Sequence, residues 1–411
     1  MNIPILILVI VFILIAIRQI GNIKLQIWQI MLGGASLVLV TGQISPMDAI
    51  NSIDLQIMIF LFSMFVLGVA IETSGYLSHL SYKIFKRAKN TDQLLLIILF
   101  GMGTASAFLM NDTLAIIGTP AVLLLAKKHK INPRALLITL AFAITIGSVT
   151  SPLGNPQNFL IATKGNIDNP FIVFLKYLFL PTVINLFAAF FLIKYFYKEH
   201  FNSESLKHSQ EPIKDHQLAV LSRISLAILL TLIIIKILLS LLKSEIDIKL
   251  VHITTISSLP ILIFSRKRIS IIKKVDWHTI VFFAAMFILM ESVWTTGFFQ
   301  STIKDINILS IPMIFLVSVI LSQFISNVPL VALYMPILSH AGANTKDMMA
   351  LAAGSTIAGN LLILGAASNI IIIQNAEKKA KTTINFIEFS KLGIPLAFIN
   401  IIIYYLYFLI I

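Results

Sequence analysis

The chain has 411 residues, of which 58% are apolar and only 12% are charged. Soluble domains carry about 25% charged residues, so this composition excludes an ordinary soluble protein and predicts that lipid covers much of the apolar surface. The net charge of +13 does not indicate nucleic-acid binding, because the cations lie in short clusters between apolar segments, as orientation determinants do. The absence of cysteine excludes disulfides and thiolate metal sites.

Most of the chain consists of apolar segments long enough to cross a bilayer, which needs about 20 residues. In chain order, ordinary spans are predicted near residues 4–18, 25–42, 54–72, 171–195, 219–243, 249–265, 277–297 and 387–411. Four further apolar segments contain polar interruptions, at 94–126, 134–163, 308–339 and 347–374. We therefore expect an all-α polytopic membrane protein with about 10 spans. The one sizeable polar stretch, 198–218, predicts a linker between a first half at 1–197 and a second half at 219–411.

Lysine and arginine residues divide unequally between the two predicted sets of loops. One set holds 24 of the 31, in clusters such as 83–89, 127–134 and 266–274. Because cytoplasmic loops carry the excess of cations in membrane proteins, this set is predicted to be cytoplasmic. The linker 198–218 is then cytoplasmic, both termini lie outside, and the expected location is the plasma (inner) membrane.

Two of the interrupted segments begin and end on the same side of the membrane in this orientation. Their polar interruptions are Asn111, Asp112 and Thr113 in segment 94–126, and Ser326 and Asn327 in segment 308–339. The apolar arms that follow are 13 and 12 residues long, which is short for a crossing. We predict two re-entrant helical hairpins with tips near mid-membrane. Ordinary helical hairpins with polar turns in water are the alternative.

The two halves of the chain repeat one another. Four pairs of short segments recur in the same order, at offsets between 211 and 222 residues. The pairs are 54–65 with 276–287, 106–111 with 322–327, 153–158 with 364–369, and 171–176 with 386–391. Since the first hairpin opens to the cytoplasm and the second to the outside, the repeats are inverted. Secondary transporters with this architecture bind substrate and coupling ions at the repeat interface.

The other two interrupted segments, 134–163 and 347–374, predict broken helices. Pro152, Gly154 and Pro156 do not fit together in an unbroken helix. A bilayer tolerates irregular backbone only where it is buried in protein or lines a cavity, so freed carbonyls and polar side chains are available to a hard cation. The candidate ion-binding residues are Ser151, Gly154, Asn155, Asn158, Thr356, Asn360, Gly365 and Asn369. Close contacts between glycine- and serine-lined helices are the alternative.

The hairpin tips supply the candidate substrate-binding residues. They are Asn111, Asp112, Thr113, Ser326 and Asn327, together with Ser368 in the second broken helix. Asp112 is the one acid at a tip, and intramembrane carboxylates are costly and usually functional. It fits a proton carrier, a sodium ligand, or a structural cap of the hairpin's second helix.

At these motifs the sequence resembles the ion transporter superfamily of divalent anion:sodium symporters, arsenite-efflux proteins, NhaD-type sodium/proton antiporters and citrate carriers. Residues 106–113 resemble its first hairpin tip, residues 326–329 its second, and residues 356–369 match most closely. The resemblance implies a scaffold domain, a mobile domain of hairpins and broken helices, an elevator-like motion and a homodimer. It also implies sodium sites around the two breaks, and no other cofactor.

These features predict a secondary active transporter, not an enzyme, that moves a small anion with sodium ions or protons. The alternatives are a cation/proton antiporter in which Asp112 alternates between proton and cation, an arsenite-efflux permease and, in a different class, a passive channel. The sequence lacks the Gly-x-x-x-x-Gly-Lys-Ser/Thr motif that cradles nucleotide phosphates. The expected partners are the anion, the coupling ion, the bilayer and a second copy of the chain, without nucleic acid.

Overall fold

The computed structural model describes residues 2–17, 19–20, 23–24, 26–76, 88–198, 213–242, 246, 248–298 and 309–411. Within these ranges the regular structure is helical, apart from a two-residue antiparallel pair, β1 (Gln19–Ile20) with β2 (Ile23–Lys24). The helices of the first half are α1 (Ile3–Ile17), α2 (Ile27–Val40), α3 (Pro46–Ser52), α4 (Leu55–Ser74), α5 (Thr91–Leu109), α6 (Asn111–His129), α7 (Pro133–Ser148), α8 (Pro156–Lys164) and α9 (Pro170–Phe196). Those of the second half are α10 (His216–Leu241), α11 (Leu250–Phe264), α12 (Arg268–Lys274), α13 (Trp277–Trp294), α14 (Ile311–Ile325), α15 (Asn327–His340), α16 (Thr345–Ile357), α17 (Ala367–Ala380) and α18 (Phe386–Ile410).

Apolar composition and length mark many of these helices as membrane segments. Among the described residues, six helices are long and apolar enough to cross a bilayer, namely α4, α5, α9, α10, α13 and α18. Several shorter helices are also apolar. The helices match the predicted ordinary spans to within three residues at either end. The prediction of an all-α polytopic membrane protein is thereby confirmed, whereas the count of about 10 crossings stays a prediction.

The structure describes only the two ends of the predicted linker, 198–218. Residues 199–212 lie outside the described residues. α10 begins at His216, so the last three residues of the predicted linker are helical. Asp215 caps this helix, and its carboxylate accepts a hydrogen bond from Leu218 N at 3.0 Å. The linker therefore ends earlier than its polarity indicates, because a capping aspartate starts the helix inside the polar stretch.

Each hairpin segment bends at a single residue. Met110, with φ +63°, joins α5 to α6, and Ser326, with φ +72°, joins α14 to α15. Positive φ is uncommon for residues other than glycine, yet it occurs here at equivalent places in both repeats. The prediction that Asn111–Thr113 interrupt the first hairpin is wrong, because these residues form the first turn of α6. Ser326 alone, rather than Ser326 with Asn327, interrupts the second.

The lengths of the hairpin arms also differ from the prediction. The second arm of the first hairpin, α6, has 19 residues, against the expected 13. Its last turn contains Lys127, Lys128 and His129, a polar extension of the apolar part. α15 has 14 residues, which at 1.5 Å per residue spans about 21 Å and is shorter than the hydrocarbon core. Arm length alone therefore argues for re-entry only in the second hairpin.

Helix caps recur at equivalent places in the two halves. The carboxylates of Asp54 and Asp276 cap α4 and α13, and the side chains of Asn132 and Asn344 cap α7 and α16. Each side-chain oxygen accepts a hydrogen bond from a backbone N–H of the first turn. Such caps contribute about 1 kcal/mol each. The repeat thus extends from sequence to the residues that start corresponding helices.

The helices pack in two groups. One group contains α1, α2, α4, α10, α11 and α13; the other contains both hairpins, both broken helices, α9 and α18. Within the second group, α5 and α7 cross at Gly103 and Gly147, where a Cβ on Gly147 would overlap the Gly103 backbone. This close crossing fixes the first hairpin against the first broken helix, and with it the position of the hairpin tip.

Candidate substrate and ion site

The first hairpin tip is attached to the first broken helix through its backbone. Asn111 N donates to Gly154 O at 2.9 Å, and Asn111 Oδ1 accepts from Asp112 N at 2.9 Å. Gly154 must be glycine because a Cβ would lie against the Ser148 carbonyl oxygen. Thr113 packs instead against Gly68 of α4. The tip therefore places Asn111 and Asp112 side by side, whereas the Thr113 side chain lies against α4.

The second tip has the same backbone form but a different hydrogen-bonding state. Asn327 begins α15 directly after Ser326, as Asn111 begins α6 after Met110. Asn327 is buried, with 6% of its surface exposed, and its Oδ1 has no hydrogen-bond partner. A buried acceptor without a partner costs about 1–3 kcal/mol, which a bound ligand would recover.

The first break, residues 149–155, is closed by the side chain of Asn158. Asn158 Nδ2 donates to the carbonyl oxygens of Ser148 at 3.0 Å, Val149 at 3.3 Å and Ser151 at 3.1 Å. Asn155 caps α8 by accepting from Asn158 N at 2.8 Å. The predicted ion-binding residues Ser151, Gly154, Asn155 and Asn158 are thus brought together, and their hydrogen bonds join them to one another, to Ser148 and Val149, and through Gly154 O to the first hairpin tip.

Thr356 crosses to the first break although it belongs to the second broken helix. Its Oγ1 accepts from Asn155 Nδ2 and Gln157 Nε2, both at 3.3 Å, and lies 3.4 Å from Asn158 Oδ1. The structure therefore places Thr356 apart from the second-break residues with which the sequence grouped it. The reason is that the ends of α7 and α16 lie side by side, so each half contributes to the other's break.

The second break, residues 358–366, is bonded more sparsely. Asn369 Nδ2 donates to Gly359 O at 2.7 Å, and Gln323 Nε2 donates to Ala358 O at 2.8 Å. Asn360 Nδ2 donates to Asn400 Oδ1 at 3.0 Å, away from the other predicted ligands. Gly365 has no room for a side chain, because a Cβ would lie 2.8 Å from the Ala358 carbonyl oxygen.

A cavity of about 490 Å³ lies between the two groups of helices and receives both hairpin tips. Asn111, Asp112, Ser326 and Asn327 line it, and so do the first residues of α8 and α17, Pro156 and Ala367. The N-terminal ends of both second half-helices therefore face one space, where their partial positive charge favours an anion. Ser368, predicted with the tips, is fully buried and lies outside this lining.

The opposite wall of this cavity consists of residues that the sequence analysis did not select. Trp28 and His278 stack with ring centroids 5.0 Å apart, and Asp276 and Thr279 lie beside them. Asp276 is the first residue of the repeated segment 276–287, so the sequence repeat could have identified it as a candidate. Nothing in the sequence indicates that Trp28 and His278 line a site, because their contact depends on how α2 packs on α13.

A second cavity, of about 860 Å³, lies at the other ends of the same helices. Asp54, Glu291, Lys164 and His340 contribute to its lining. Lys164 Nζ of α8 forms an ion pair at 2.6 Å with Asp54 Oδ2 at the start of α4. This pair joins the two groups of helices across the cavity.

Neutral oxygens are the available ligands for a cation at either break. In the described part of the chain, no three His, Asp or Glu side chains come close enough together to hold a metal ion. Hydroxyl, amide and carbonyl oxygens suit hard cations, which is the class to which sodium belongs.

Comparisons with known proteins agree on the kind of molecule. The family model described as citrate transporter matches residues 7–347. The 46 kDa membrane protein of Mycobacterium leprae is 26% identical over 397 residues, covering 90% of each chain. The silicon efflux transporter LSI3 of Oryza sativa subsp. japonica is 26% identical over 417 residues, covering 85% of this chain and 84% of the relative.

A solved structure shares the fold. The YdaH transporter of Alcanivorax borkumensis superposes with a TM-score of 0.57, covering 99% of this chain and 97% of that chain. The sequence identity is 13%, so the likeness concerns the fold alone.

Proposed function

Because the chain belongs to the citrate transporter family, and its relatives include named transporters, we propose that it is a secondary active transporter for a small anion coupled to sodium ions or protons. The observation that carries the proposal is the shared cavity. Both hairpin tips and the N-terminal ends of both second half-helices line it. Helix N-termini aimed at one enclosed space bind anionic groups, and discontinuous helices in inverted repeats are used for this purpose in transporters.

The proposed membrane arrangement places both hairpins as re-entrant elements in two inverted halves, 1–197 and 219–411. The hydrogen bond from Asn111 N to Gly154 O supports it, because Gly154 lies in the break between α7 and α8, inside the predicted crossing 134–163. A tip that contacts this break lies within the membrane whatever the length of its arms. The cytoplasmic linker, outside termini, plasma membrane location and homodimer belong to the same proposal.

The two cavities support an alternating-access cycle. The cavity that receives the tips also contains Asp276, which directly follows the cationic cluster 266–274 and is therefore on the predicted cytoplasmic side. The cavity at the other ends is crossed by the ion pair of Lys164 with Asp54. An elevator-like movement of the hairpin group would break that ion pair and change which of the two cavities the hairpin tips face.

The charge of the cavity supports coupling to a cation. Asp112 and Asp276 contribute carboxylates, His278 contributes an imidazole, and no lysine or arginine is among the described residues that line it. An uncompensated anion would be repelled by the carboxylates, and this repulsion is strong in a poorly solvated space. A proton or a sodium ion that enters with the anion removes the repulsion.

Asp112 also favours a second function, cation/proton exchange. It lies at the start of α6 and lines the cavity that receives both tips. A carboxylate in this position can hold either a proton or a cation, which is the requirement of an exchanger. In that function the anion-binding helix ends would have only a structural role.

Transport by purified protein in liposomes tests the proposal. Sodium and proton gradients are imposed separately, and uptake of radiolabelled phosphate and citrate is compared with proton movement, which is followed by a pH dye inside the vesicles. Uptake of one anion that requires one of the gradients supports the proposal. Proton movement driven by sodium without any of the anions supports the exchanger instead. Equal anion flux without either gradient contradicts secondary active transport.

A further inference from the structure

The short helix α12 lies between two apolar helices, after the end of α11 at Phe264 and before the start of α13 at Trp277. These two helices correspond to the predicted crossings 249–265 and 277–297, so α12 is expected at one surface of the membrane. Residues 266–274 contain no acid and five cations, namely Arg266, Lys267, Arg268, Lys273 and Lys274. Positive charge is therefore concentrated at this point of the membrane surface.

The repeat provides an internal comparison for α12. The helix α3 stands 222 residues earlier, at the offset that relates 54–65 to 276–287, and each of the two short helices precedes a capping aspartate, Asp54 or Asp276. α3 contains Asp48 and no lysine or arginine. Because the first half forms this element without cations, the charges of α12 are not required to build it.

Three of the five cations have no ion-pair partner in the protein. Lys267 Nζ pairs with Asp215 Oδ2 at 2.7 Å, which joins the start of α12 to the start of α10. Within the ranges that the structure describes, no ion pair is formed by Arg266, Lys273 or Lys274. All three side chains belong to exposed residues. Their charge is therefore available to a ligand from outside the chain.

Other cations on the same predicted face are used within the fold. Arg134 Nη1 lies 3.5 Å from Glu388 Oε2, and Lys194 Nζ lies 2.5 Å from Asp92 Oδ2. Each of these pairs joins two different helices. Setting the orientation of the chain requires cations on this face, but it does not require that those of α12 lack partners.

Exposed apolar side chains flank the charges of α12. Phe264, Ile269 and Trp277 are 66%, 64% and 45% exposed, whereas Ile271 is buried where α12 packs against α4 and α11. Trp277 Nε1 donates to Ile272 O at 2.9 Å, which holds the indole ring beside the helix. Apolar groups interleaved with cations suit the boundary between acyl chains and headgroups, where long cationic side chains reach toward the polar layer.

We propose that the α12 surface binds the headgroups of anionic phospholipids in the surrounding bilayer. The α12 surface consists of Phe264, Arg266, Arg268, Ile269, Lys273 and Lys274. Its charge complements an anionic headgroup, and its exposed apolar side chains favour a lipid over a soluble anion. A bound lipid would hold the end of the helix group that contains α4, α11 and α13 at the membrane surface. The proposal does not depend on which substrate is transported.

Quenching of tryptophan fluorescence by brominated lipids tests the contact at the α12 surface itself. The chain has three tryptophans, so Trp28→Phe with Trp294→Phe leaves Trp277 as the single reporter in the full chain. The protein is reconstituted in mixed bilayers in which either phosphatidylglycerol or phosphatidylcholine carries the bromine at the same mole fraction. Phosphatidylglycerol is expected to be enriched around Trp277 by about fivefold or more, the ratio to which about 1 kcal/mol for one cation near an anionic surface corresponds. The enrichment should fall as sodium chloride is added, because exposed charges are screened.

Matched charge changes separate the α12 surface from the general attraction of a cationic protein for anionic lipid. The test variant is expected to bring the enrichment close to one, and it combines Arg266→Gln, Arg268→Gln, Lys273→Gln and Lys274→Gln. The control removes the same charge from exposed residues of the other group of helices and should keep the parent's enrichment, and it combines Lys127→Gln, Lys130→Gln, Lys198→Gln and Lys391→Gln. Thermal unfolding checks that both are folded. Lys273→Gln with Lys274→Gln replaces the test variant if that does not fold, and should lower the enrichment in part.

Equal quenching by the two lipids in the parent, or an enrichment that survives the test variant, overturns the site. An equal loss in the test and control variants overturns it as well, because total charge would then be the cause. Inorganic phosphate that replaces chloride at constant ionic strength should leave the enrichment unchanged. A loss specific to phosphate would assign the surface to a soluble anion and contradict a lipid site. These outcomes concern lipid contact alone, and the liposome transport assay tests the proposed function independently.

Discussion

Asn400 Nδ2 donates to Asn185 Oδ1 at 2.8 Å, and these two residues occupy equivalent positions in the two repeats, 215 residues apart. Both are fully buried, in α18 and α9. Asn360 Nδ2 extends the chain of amides by donating to Asn400 Oδ1 at 3.0 Å. The contact between α9 and α18 is therefore where the two halves meet through identical residues, and it is connected directly to the second break.

Removal of the central amide should destabilise the protein strongly. Asn400→Leu leaves Asn185 and Asn360 without their partner, at about 1–3 kcal/mol for each orphaned group. Thermal unfolding in detergent measures the effect. The double variant Asn185→Leu with Asn400→Leu should cost less than the sum of the two single variants, because residues in contact couple. Additive costs would show that the amides do not act together.

The two break asparagines should separate stability from transport. Asn158→Ala removes bonds to three carbonyl oxygens, so we expect a loss of about 2 kcal/mol or more and poor yield of folded protein. Asn369→Ala removes one such bond and should leave an inserted, folded protein that does not transport. Melting temperature and liposome uptake are compared for both variants. Equal melting temperatures would contradict the different bonding of the two breaks.

Asp112→Asn distinguishes the two transport functions. The substitution keeps the shape of the side chain and removes its charge from the cavity lining. An anion carrier should retain measurable uptake with an altered dependence on sodium or pH, whereas a cation/proton exchanger should lose exchange completely, because its titrating group is gone. Uptake and vesicle pH are recorded in parallel. Asn111→Ala, at the neighbouring tip residue, is expected to abolish transport in either case.

Cysteine labelling tests the orientation, and the absence of native cysteine makes single-cysteine variants direct. A cysteine at Ser205, which lies outside the described residues, should react only from the cytoplasm. One at Ala341, exposed between α15 and α16, should react only from outside. Asp112→Cys should resist bulky reagents added from outside. Reaction of Ser205→Cys and Ala341→Cys from the same face of the membrane would contradict the inverted arrangement of the two halves.

The start of α10 should contribute an acid-sensitive part of stability. The Leu218 N–H, followed by the Lys267 ammonium, holds the pKa of Asp215 below its usual range. A carboxyl with a lowered pKa stabilises the fold above its unfolded value of about 3.9 and loses that contribution as the pH falls through the folded pKa. Asp215→Asn keeps the cap and should flatten this part of the acid limb, while at neutral pH it costs at most about 1 kcal/mol. Melting temperatures below and above pH 4 measure the difference.

The sequence predicted the helices well where hydropathy decides them. Spans such as 171–195 and 387–411 correspond to α9 and α18 within one residue, because about 20 apolar residues between polar ends have few alternatives in a bilayer. The hairpin bends were placed less well. Asn111–Thr113 were predicted as an interruption on grounds of polarity, but the backbone bends at Met110, an apolar residue with positive φ.

The sequence by itself determined the membrane class, the repeat, and the polar residues at the two tips and two breaks. The membrane class follows from the apolar composition, the repeat from segments that recur at a nearly constant offset, and the polar residues from their identities. Only the tertiary structure decided which oxygens remain without partners. Asn155 and Asn369 were equal candidates in the sequence, yet Asn155 donates to Thr356 from the other half, while Asn369 Oδ1 has no donor. That difference arises from the packing of α7 against α16, because hydrogen bonds across the repeat interface join residues about 200 positions apart.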